Sequence, residues 1–347
     1  MPIVREAIEK IVYPQRSETL RELGLIREIS EREVHITLPS PAIPRSRETE
    51  LRELIEKAAG SDVIVHFHRE QAAAPRGLGS NLLESAKNII AVASGKGGVG
   101  KSTVACNLAA ALAASGCSVG LLDADVYGPS QPLLLGVAGT QLKIKDKRIL
   151  PVEAHGLSLM SMGFLMKPGD AVIWRGPMLH GMMQQFCRDV EWGELDFIVV
   201  DLPPGTGDIA LSLSQLIDVT GSVIVSTPQD LALDVATKAV GMFNKLGVPI
   251  LGLVENMSYY CCPQCNHRDD IFNHGGAHQA ARTMNLPVLG EVPLNSAIRK
   301  AGDVGVPVVL HEPDSAPAKV FTELAQSVAE RVSLDAQKQI LTELQRS

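Results

Sequence analysis

Short, almost uninterrupted apolar runs recur from Asn88 onwards and alternate with longer segments of helical character. The runs are IIAVAS, VGLLDAD, FIVVDL, VIVSTP and ILGLVEN. Such strands are buried on both faces, which is typical of a parallel sheet covered by helices. We therefore predict an α/β domain over residues 88–333, with a mostly parallel sheet flanked by helices.

A different pattern precedes this region. EVHITLP and DVIVHFH alternate apolar and polar positions, which predicts two half-buried strands. TELRELIEKAAG repeats apolar residues at helical spacing and ends at Gly60, which predicts a helix between them. We expect a small α/β domain over residues 1–70. His66 and His68 share one face of its second strand; they would suit a metal, although an exposed strand face also accounts for them.

The remaining segments are predicted to be connections. QAAAPRGLGSN is rich in Ala, Gly, Pro and Ser, so residues 71–87 are expected to form a linker. AKVFTELAQSVAERV has the pattern of a closing amphipathic helix. Residues 334–347 are then left as a C-terminal tail.

Composition narrows the possible functions. Of 347 residues, 45% are hydrophobic, 20% charged and 4% aromatic, and the net charge is −7. An acidic chain with few aromatics does not favour nucleic-acid binding. The charged start MPIVREAIEK does not resemble a signal peptide, and the sequence has no uncharged run of membrane-spanning length. We expect a cytoplasmic protein that binds no membrane, in which cysteines stay reduced.

The strongest chemical signal is SGKGGVGKST, which lies between a predicted strand and a predicted helix. It matches the P-loop pattern, in which glycines allow backbone N–H groups to converge on phosphate oxygens. Lys101 is predicted to reach the β- and γ-phosphates, and Ser102 to bind Mg²⁺. The predicted nucleotide-binding residues of this loop are Gly95, Lys96, Gly97, Gly98, Val99, Gly100, Lys101, Ser102 and Thr103.

Carboxylates follow two of the predicted strands. Asp201 ends FIVVD and fits a Mg²⁺-holding acid of a nucleotide site, whereas Asp123 and Asp125 end the strand of LLDAD. In an open parallel sheet, ligands bind at this carboxyl edge. Strand-end aspartates also serve as helix caps, and that alternative stays open for all three.

A cysteine pair, Cys262-x-x-Cys265, lies in ENMSYYCCPQCNHRDD. Two thiolates are half of what a tetrahedral zinc site or an iron–sulfur cluster requires. We expect the adjacent Cys261 not to bind metal, and Asn266 to stand where such knuckles usually carry glycine. His267 and His274 are alternative ligands, but loop histidines without a metal role also account for them.

Several motifs, in order, resemble one family. SGKGGVGKST, DADVYGPS, IWRGPM, WGELDFIVVDLPPGTGD, STPQDLALDV, GLVENMSYYCCPQC and GEVPLNSAIR stand as in Mrp/ApbC-type iron–sulfur cluster carriers, members of the MinD/ParA-like ATPases with a deviant Walker A motif. The resemblance covers roughly residues 88–330. It implies a homodimeric ATPase that hydrolyses ATP slowly and delivers a labile cluster, received from a scaffold or donor protein, to apoproteins.

The resemblance also implies roles for individual residues. Lys96 would cross the dimer interface to the partner's nucleotide and act with Lys101 and Asp125 in catalysis, Asp125 orienting the attacking water. Asn256 would contact adenine. If two chains face each other across nucleotide, Cys262 and Cys265 of each would together hold a [4Fe–4S] cluster.

The N-terminal region looks like a small domain often fused ahead of this ATPase. YPQ at 13–15 stands where an acidic turn is usual, and LPSPAIP lacks a cysteine that some relatives carry. No ligand is therefore assigned to this domain from its sequence.

Three alternatives remain open at this point. The first is a positioning ATPase of the MinD or ParA kind, which leaves the cysteine pair unexplained. The second is an ATPase with a purely structural zinc between two chains. The third is a ligase on the same scaffold, for which Arg175 in IWRGPM is the nearest candidate for an anion contact.

Overall fold

A computed structural model describes the chain except for residues 1, 15, 31, 61, 74–80, 167–175, 206–207, 232, 263, 266, 273–274 and 347. The chain divides into two units. The first comprises Met1–Pro75 together with Gln326–Ser347, and the second comprises Arg76–Ala325.

The N-terminal part of the first unit is a helix-backed sheet. Its elements are α1 (Pro2–Glu9), β1 (Ile26–Ile29), β2 (Glu33–Leu38), α2 (Arg45–Ala59) and β3 (Ile64–Arg69). The sheet order is β1-β2-β3, with β1 antiparallel and β3 parallel to β2. Both strands and the helix predicted here are present, and α2 ends where Gly60 adopts a φ of 104°. Alternate residues of β2 are buried, as the period-two pattern indicated.

The second unit contains the predicted α/β fold. Its elements are β4 (Ala86–Ala93), α3 (Lys101–Ala114), β5 (Val119–Asp123), α4 (Gln131–Leu134), β6 (Lys143–Lys145), β7 (Arg148–Leu150), β8 (Val152–Ala154), β9 (Leu157–Ser161), α5 (Gly176–Arg188), β10 (Leu195–Asp201), α6 (Asp208–Leu216), β11 (Gly221–Ser226), α7 (Leu233–Lys245), β12 (Ile250–Cys261), β13 (Arg268–Asp269), α8 (Gly276–Met284), β14 (Val288–Leu294), α9 (Ser296–Asp303) and α10 (Val308–His311).

The main sheet of this unit has the order β13-β12-β11-β4-β10-β5-β9-β8, and β14 pairs with β12. The inner strands and β14 run parallel, whereas β8 and β13 are antiparallel to their neighbours. Parallel strands end at the same edge of a sheet, so the ends of β4, β5 and β10 lie side by side. The predicted P-loop and carboxylates follow those three strand ends.

Two predicted boundaries differ from the structure. Leu83 and Ala86, assigned to the linker, belong to the buried core of the second unit. The last helix, α11 (Ala316–Arg346), continues through the segment predicted as a tail. Leu334 is fully buried in the core of the first unit, so residues 334–347 are not a detached extension. A linear pattern misses this because apolar residues of α11 pack against residues about three hundred positions earlier.

Candidate nucleotide and cluster site

The P-loop links the buried strand β4 to the buried helix α3, the context that its pattern requires. Gly98 and Gly100 have φ values of 82° and 80°. A Cβ atom at Gly100 would lie 2.2 Å from the side-chain nitrogen of Asn256, so any other residue there would displace that side chain. This backbone, which opens into the N-terminus of α3, is suited to phosphate oxygens.

Asn256 holds the P-loop from a neighbouring part of the sheet. Its side-chain N–H donates to the Val99 carbonyl oxygen over 2.8 Å, and the residue is buried. The contact with adenine expected for Asn256 stays a prediction. The geometry gives Asn256 a second role, which is to join the P-loop to strand β12. The same strand ends at Cys261, next to the cysteine pair.

Lys101 lies at the centre of the site and is buried. Its ammonium donates to Oδ1 of Asp201 and lies 3.7 Å from Oδ2 of Asp125. It also lies 3.4 Å from the Ser102 hydroxyl. The structure thus brings together the predicted lysine, the predicted magnesium ligands and the predicted catalytic aspartate.

Gln131 is part of this site, and the sequence did not indicate it. Its side-chain N–H₂ donates to Oδ2 of Asp201 over 2.8 Å and to the Ser102 carbonyl oxygen over 3.0 Å. Its Oε1 is buried and accepts no hydrogen bond from the described residues. A buried acceptor without a donor, on a side chain that contacts Asp201 and the Ser102 backbone, fits a water bound to Mg²⁺. The signal was present, since Gln131 directly follows the DADVYGPS motif.

Asp123 and Asp125 have different surroundings. Asp123 pairs with Asp201 across the strands and accepts from the Ser161 hydroxyl over 2.8 Å. Burial and the charge of Asp201 raise the pKa of Asp123. Asp125 Oδ1 accepts from the N–H groups of residues 127 and 128, as a turn cap does. Burial raises the pKa of Asp125 as well, although the Lys101 ammonium opposes this change.

The outer part of the loop is exposed. Lys96, Gly97 and Gly98 are all accessible, and the Lys96 carbonyl oxygen accepts from the Ser94 hydroxyl over 2.9 Å. Gly205, which follows Pro203 and Pro204, has a φ of 94° and donates its N–H to the Ser94 carbonyl oxygen. The turn after Asp201 is therefore attached to the loop that follows β4.

Strand β12 passes from the nucleotide region to the cysteine pair. Its pairing with β14 is irregular between Asn256 and Tyr260, where Met257 adopts a φ of 58°. Glu255 is fully buried and accepts from the Ser258 hydroxyl over 2.5 Å and from the Ala277 N–H over 2.9 Å. The Ser258 contact spans the bend, and the Ala277 contact attaches Glu255, just before the bend, to α8.

The cysteine pair occupies a hairpin loop. Cys261 pairs with Arg268 in the β12–β13 ladder, and the Cys262 N–H donates to the His267 carbonyl oxygen over 2.9 Å. Cys262 is half-buried and Cys265 is exposed. The backbone N–H of Gln264, then the N–H and side chain of Cys265, lower the pKa of the Cys262 thiol. Such N–H···S contacts are typical of metal-binding knuckles.

The other cysteines are buried, and their surroundings do not suggest metal binding. Burial raises the pKa of Cys187 to about 12 and raises the pKa of Cys106 as well. Cys117 is also buried. Three residues considered in the sequence, Arg175, Asn266 and His274, lie outside the described residues.

Comparison with known proteins decides the family. A family model described as ParA, NUBPL iron-transfer P-loop NTPase, matches residues 85–329. An iron-sulfur cluster carrier protein of Deinococcus radiodurans is 43% identical, with 94% of each chain covered. The iron-sulfur cluster transfer protein NUBPL of mouse is 50% identical over 72% of this chain and 79% of its own. The chain belongs to the iron–sulfur cluster carrier family of P-loop NTPases.

Solved structures agree with this family. A nucleotide-binding protein of Archaeoglobus fulgidus, in complex with ADP, is 39% identical with a TM-score of 0.61, covering 69% of this chain and 93% of its own. The cell division ATPase MinD of Pyrococcus furiosus is 25% identical with a TM-score of 0.51, covering 70% and 98%. The resemblance and the P-loop α/β fold predicted from the sequence are both confirmed. Over the part of the chain that the structure describes, no helix has the length and apolar character needed to cross a bilayer.

Proposed function

We propose that this carrier holds an iron–sulfur cluster between two copies of the chain and transfers it to apoproteins in a reaction coupled to ATP hydrolysis. The observation that carries the proposal is the single strand β12, which bears the P-loop contact Asn256 and ends at the cysteine loop. A nucleotide-dependent change at Asn256, in the middle of the strand, therefore has a short route to its end.

The nucleotide half of the proposal rests on Lys101 and its partners. On ATP binding, the Lys101 ammonium exchanges contacts with Asp201 and Asp125 for phosphate oxygens. Asp201 and the Ser102 hydroxyl would hold Mg²⁺, which supplies positive charge beside the β- and γ-phosphates. Asp125, whose Oδ2 lies 3.7 Å from the Lys101 ammonium, is proposed to orient the attacking water. The exposed Lys96 is proposed to reach the partner's nucleotide, as in the MinD/ParA-like class.

The cluster half rests on the count of thiolates. Cys262 and Cys265 supply two ligands per chain, and a [4Fe–4S] cargo needs four. A second copy related by two-fold symmetry supplies the other two. The lowered pKa of Cys262 favours the thiolate, which is the form that binds iron.

Coupling between the two halves is proposed to run through the bend in β12. Residues 256–262 comprise seven positions. Met257 holds a φ of 58°, an uncommon conformation for a side-chain-bearing residue, beside the irregular pairing with β14. A shift of Asn256 with the P-loop would change this bend and so the spacing of the thiolates. This bend would link the nucleotide state to cargo transfer, and slow hydrolysis is expected from the family resemblance alone.

The test is anaerobic reconstitution of the full chain with iron and sulfide, followed by transfer to an apoprotein that needs a [4Fe–4S] cluster, with and without Mg·ATP. We expect a coloured protein with a single cluster per pair of chains. Lys101→Ala should keep the cluster but lose the effect of nucleotide on transfer. Cys262→Ser and Cys265→Ser should each lose the cluster, whereas Cys261→Ser is the matched control and should retain it.

Three outcomes would contradict the proposal. Full iron and sulfide content in the Cys262→Ser/Cys265→Ser variant would remove the cysteine pair from the cargo site. Equal nucleotide-dependent transfer by Lys101→Ala and the parent protein would break the coupling. A colourless protein loaded with zinc would favour a structural metal between the chains.

A further inference from the structure

The first unit contains a cluster of histidines, and none of them takes part in the function proposed above. Strand β2 buries Val34, Ile36 and Leu38 in the core, so its other residues, Glu33 and His35 among them, belong to the opposite face. Strand β3 likewise buries Val65, which puts His66 and His68 on the face of Glu33 and His35.

The register of the two strands brings these side chains together. Because β2 and β3 run parallel, His35 pairs directly with His66, and Thr37 pairs with His68. The His35 and His66 rings stack with centroids 4.7 Å apart, and the His35 and His68 rings with centroids 5.2 Å apart. Neither the spacing in β2 nor that in β3 alone predicts this arrangement.

The ring nitrogens converge on one carboxylate. His35 Nε2 lies 3.7 Å from one oxygen of Glu33, and His66 Nε2 lies 3.9 Å from the other. One ligand atom from each of Glu33, His35 and His66 can be chosen so that all lie within 4.8 Å of one another. Ligand atoms on one tetrahedral ion are about 3.3 Å apart at ordinary Zn–N distances. The contacts to Glu33 exceed that spacing, so metal binding requires the half-exposed Glu33 and His66 side chains to rotate towards a shared ion.

A fourth group, His68, contacts the ring nitrogen of His35 that points away from Glu33. His35 Nδ1 lies 2.9 Å from His68 Nε2, so one of these nitrogens donates a proton to the other. When His35 Nδ1–H donates, its Nε2 keeps a lone pair that faces Glu33. A hydrogen bond on the remote nitrogen of a ligating histidine orients the ring and increases its basicity.

We propose that Glu33, His35 and His66 form a binding site for a first-row divalent transition-metal cation, with His68 as a positioning residue. Two imidazoles and one carboxylate suit Fe²⁺, Co²⁺, Ni²⁺, Cu²⁺ or Zn²⁺, whereas Mg²⁺ and Ca²⁺ prefer oxygen ligands. The half-exposed face leaves coordination positions for water or for a ligand atom of another molecule. This site involves neither the P-loop nor the cysteine pair, so it stands independently of the function proposed above.

The experiment uses the full chain carrying Cys262→Ser/Cys265→Ser, which removes the thiolate ligands, in buffer saturated with Mg²⁺. Co²⁺ is titrated anaerobically, and its visible d–d absorption and equilibrium dialysis report binding. We expect a single Co²⁺ per chain, displaced by Zn²⁺ but not by Ca²⁺. His35→Gln and His66→Gln should weaken the affinity at least about 100-fold, and His68→Gln about 10-fold, the range known for groups around a metal.

Two further variants keep the test decisive. Glu33→Gln changes a half-exposed side chain without removing volume, so it should weaken Co²⁺ binding while the protein stays folded. His278→Gln is the matched control, because His278 lies 2.6 Å from Glu291 without a third ligand in the described part of the chain. Unchanged affinity in His35→Gln, His66→Gln and Glu33→Gln would show that the cluster is only a hydrogen-bonded stack, as would a parent that binds no Co²⁺.

Discussion

At the residue scale, glycines of the P-loop are required for two different physical reasons. Gly98 has a positive φ, but a Cβ atom added there would meet nothing within 4 Å. Gly100 also has a positive φ, and a Cβ atom added there would lie 2.2 Å from the side-chain nitrogen of Asn256. Gly97 has neither constraint, since its nearest neighbour would be Pro204 at 3.8 Å. The cost of a positive φ can therefore be measured separately from the cost of a steric clash within one loop.

This separation predicts a graded series of alanine variants. Gly97→Ala should change the free energy of unfolding by less than about 0.5 kcal/mol, as ordinary surface substitutions do. Gly98→Ala should lose about 1–2 kcal/mol because of its left-handed backbone. Gly100→Ala should lose more than Gly98→Ala, because the Asn256 side chain must also move. Urea unfolding without nucleotide measures all three.

A double variant isolates the steric part of this prediction. Asn256→Ala removes the side chain that a Cβ atom at position 100 would meet. Gly100→Ala/Asn256→Ala should therefore be less destabilised than the sum of the single variants. Strict additivity, or equal losses in Gly98→Ala and Gly100→Ala, would mean that the close approach has no energetic effect.

Glu18 provides a pH-dependent test at the same scale. Its carboxylate accepts from Arg16 and lies 3.1 Å from the Lys338 ammonium. The Arg16 guanidinium, followed by Lys338, lowers the pKa of Glu18 to about 2 against the opposing effect of burial. A folded-state pKa below the unfolded one stabilises the protein above pH 4.5, and this contribution disappears as the pH falls towards 2.

Glu18→Gln should accordingly be less stable than the parent at pH 7. The difference in urea midpoint, followed by circular dichroism, should shrink between pH 4.5 and 3. Glu53→Gln, at an exposed carboxylate of α2, is the control and should match the parent at each pH. A Glu18→Gln difference that stays constant with pH would show that the ion pairs do not stabilise this unit.

At the element scale, helix α11 is part of the first unit's core. From Gln326 onwards its residues group with the N-terminal sheet. Glu330 accepts from the Tyr13 hydroxyl over 2.5 Å and from Arg47 over 2.8 Å, and Arg47 is buried. Arg16 pairs with Asp335 in the same segment. The small domain predicted over residues 1–70 is thus completed by the other end of the chain.

Truncating Leu334 tests this arrangement. Leu334 is fully buried, so Leu334→Ala should lower the free energy of unfolding of the first unit by about 2–5 kcal/mol. Leu344 lies on the same helix but is 68% exposed, so Leu344→Ala should change it by less than about 0.5 kcal/mol. Chemical denaturation measures both. Equal effects would show that the helix end does not pack as a core element.

At the scale of the whole molecule, the proposed activity needs two chains. Each chain carries the P-loop lysines and one cysteine pair, and each pair supplies only half of a four-thiolate site. The net charge of −7 per chain opposes association, so a favourable contact at the nucleotide has to overcome it. Lys96 is exposed and lies in the P-loop, and it is the residue proposed to make that contact.

Lys96→Ala should therefore reduce dimer formation with Mg·ATP while nucleotide binding by the single chain persists. Light scattering after size exclusion, with and without nucleotide, measures the association. Lys143→Ala, at an exposed lysine of β6, is the control for the loss of one charge. Nucleotide-dependent dimers of Lys96→Ala at parent levels would contradict the role proposed for Lys96.

The sequence by itself determined those features that depend on neighbouring residues. The P-loop, the buried parallel strands, the strand-end carboxylates and the cysteine pair are each encoded within a few consecutive positions. Local spacing and periodicity are visible in a linear pattern, and they were sufficient to indicate the fold and the family.

Only the tertiary structure decided which distant residues meet. Gln131 reaches Asp201 across 70 positions and Asn256 reaches Val99 across 157, because the strand order places β4, β5, β10 and β12 in one sheet. His35 contacts His66 because of the register of two parallel strands. Leu334 packs in the hydrophobic core that residues 8–65 form. These contacts follow from strand order, register and helix packing, which depend on the free energy of the whole fold rather than on any local pattern.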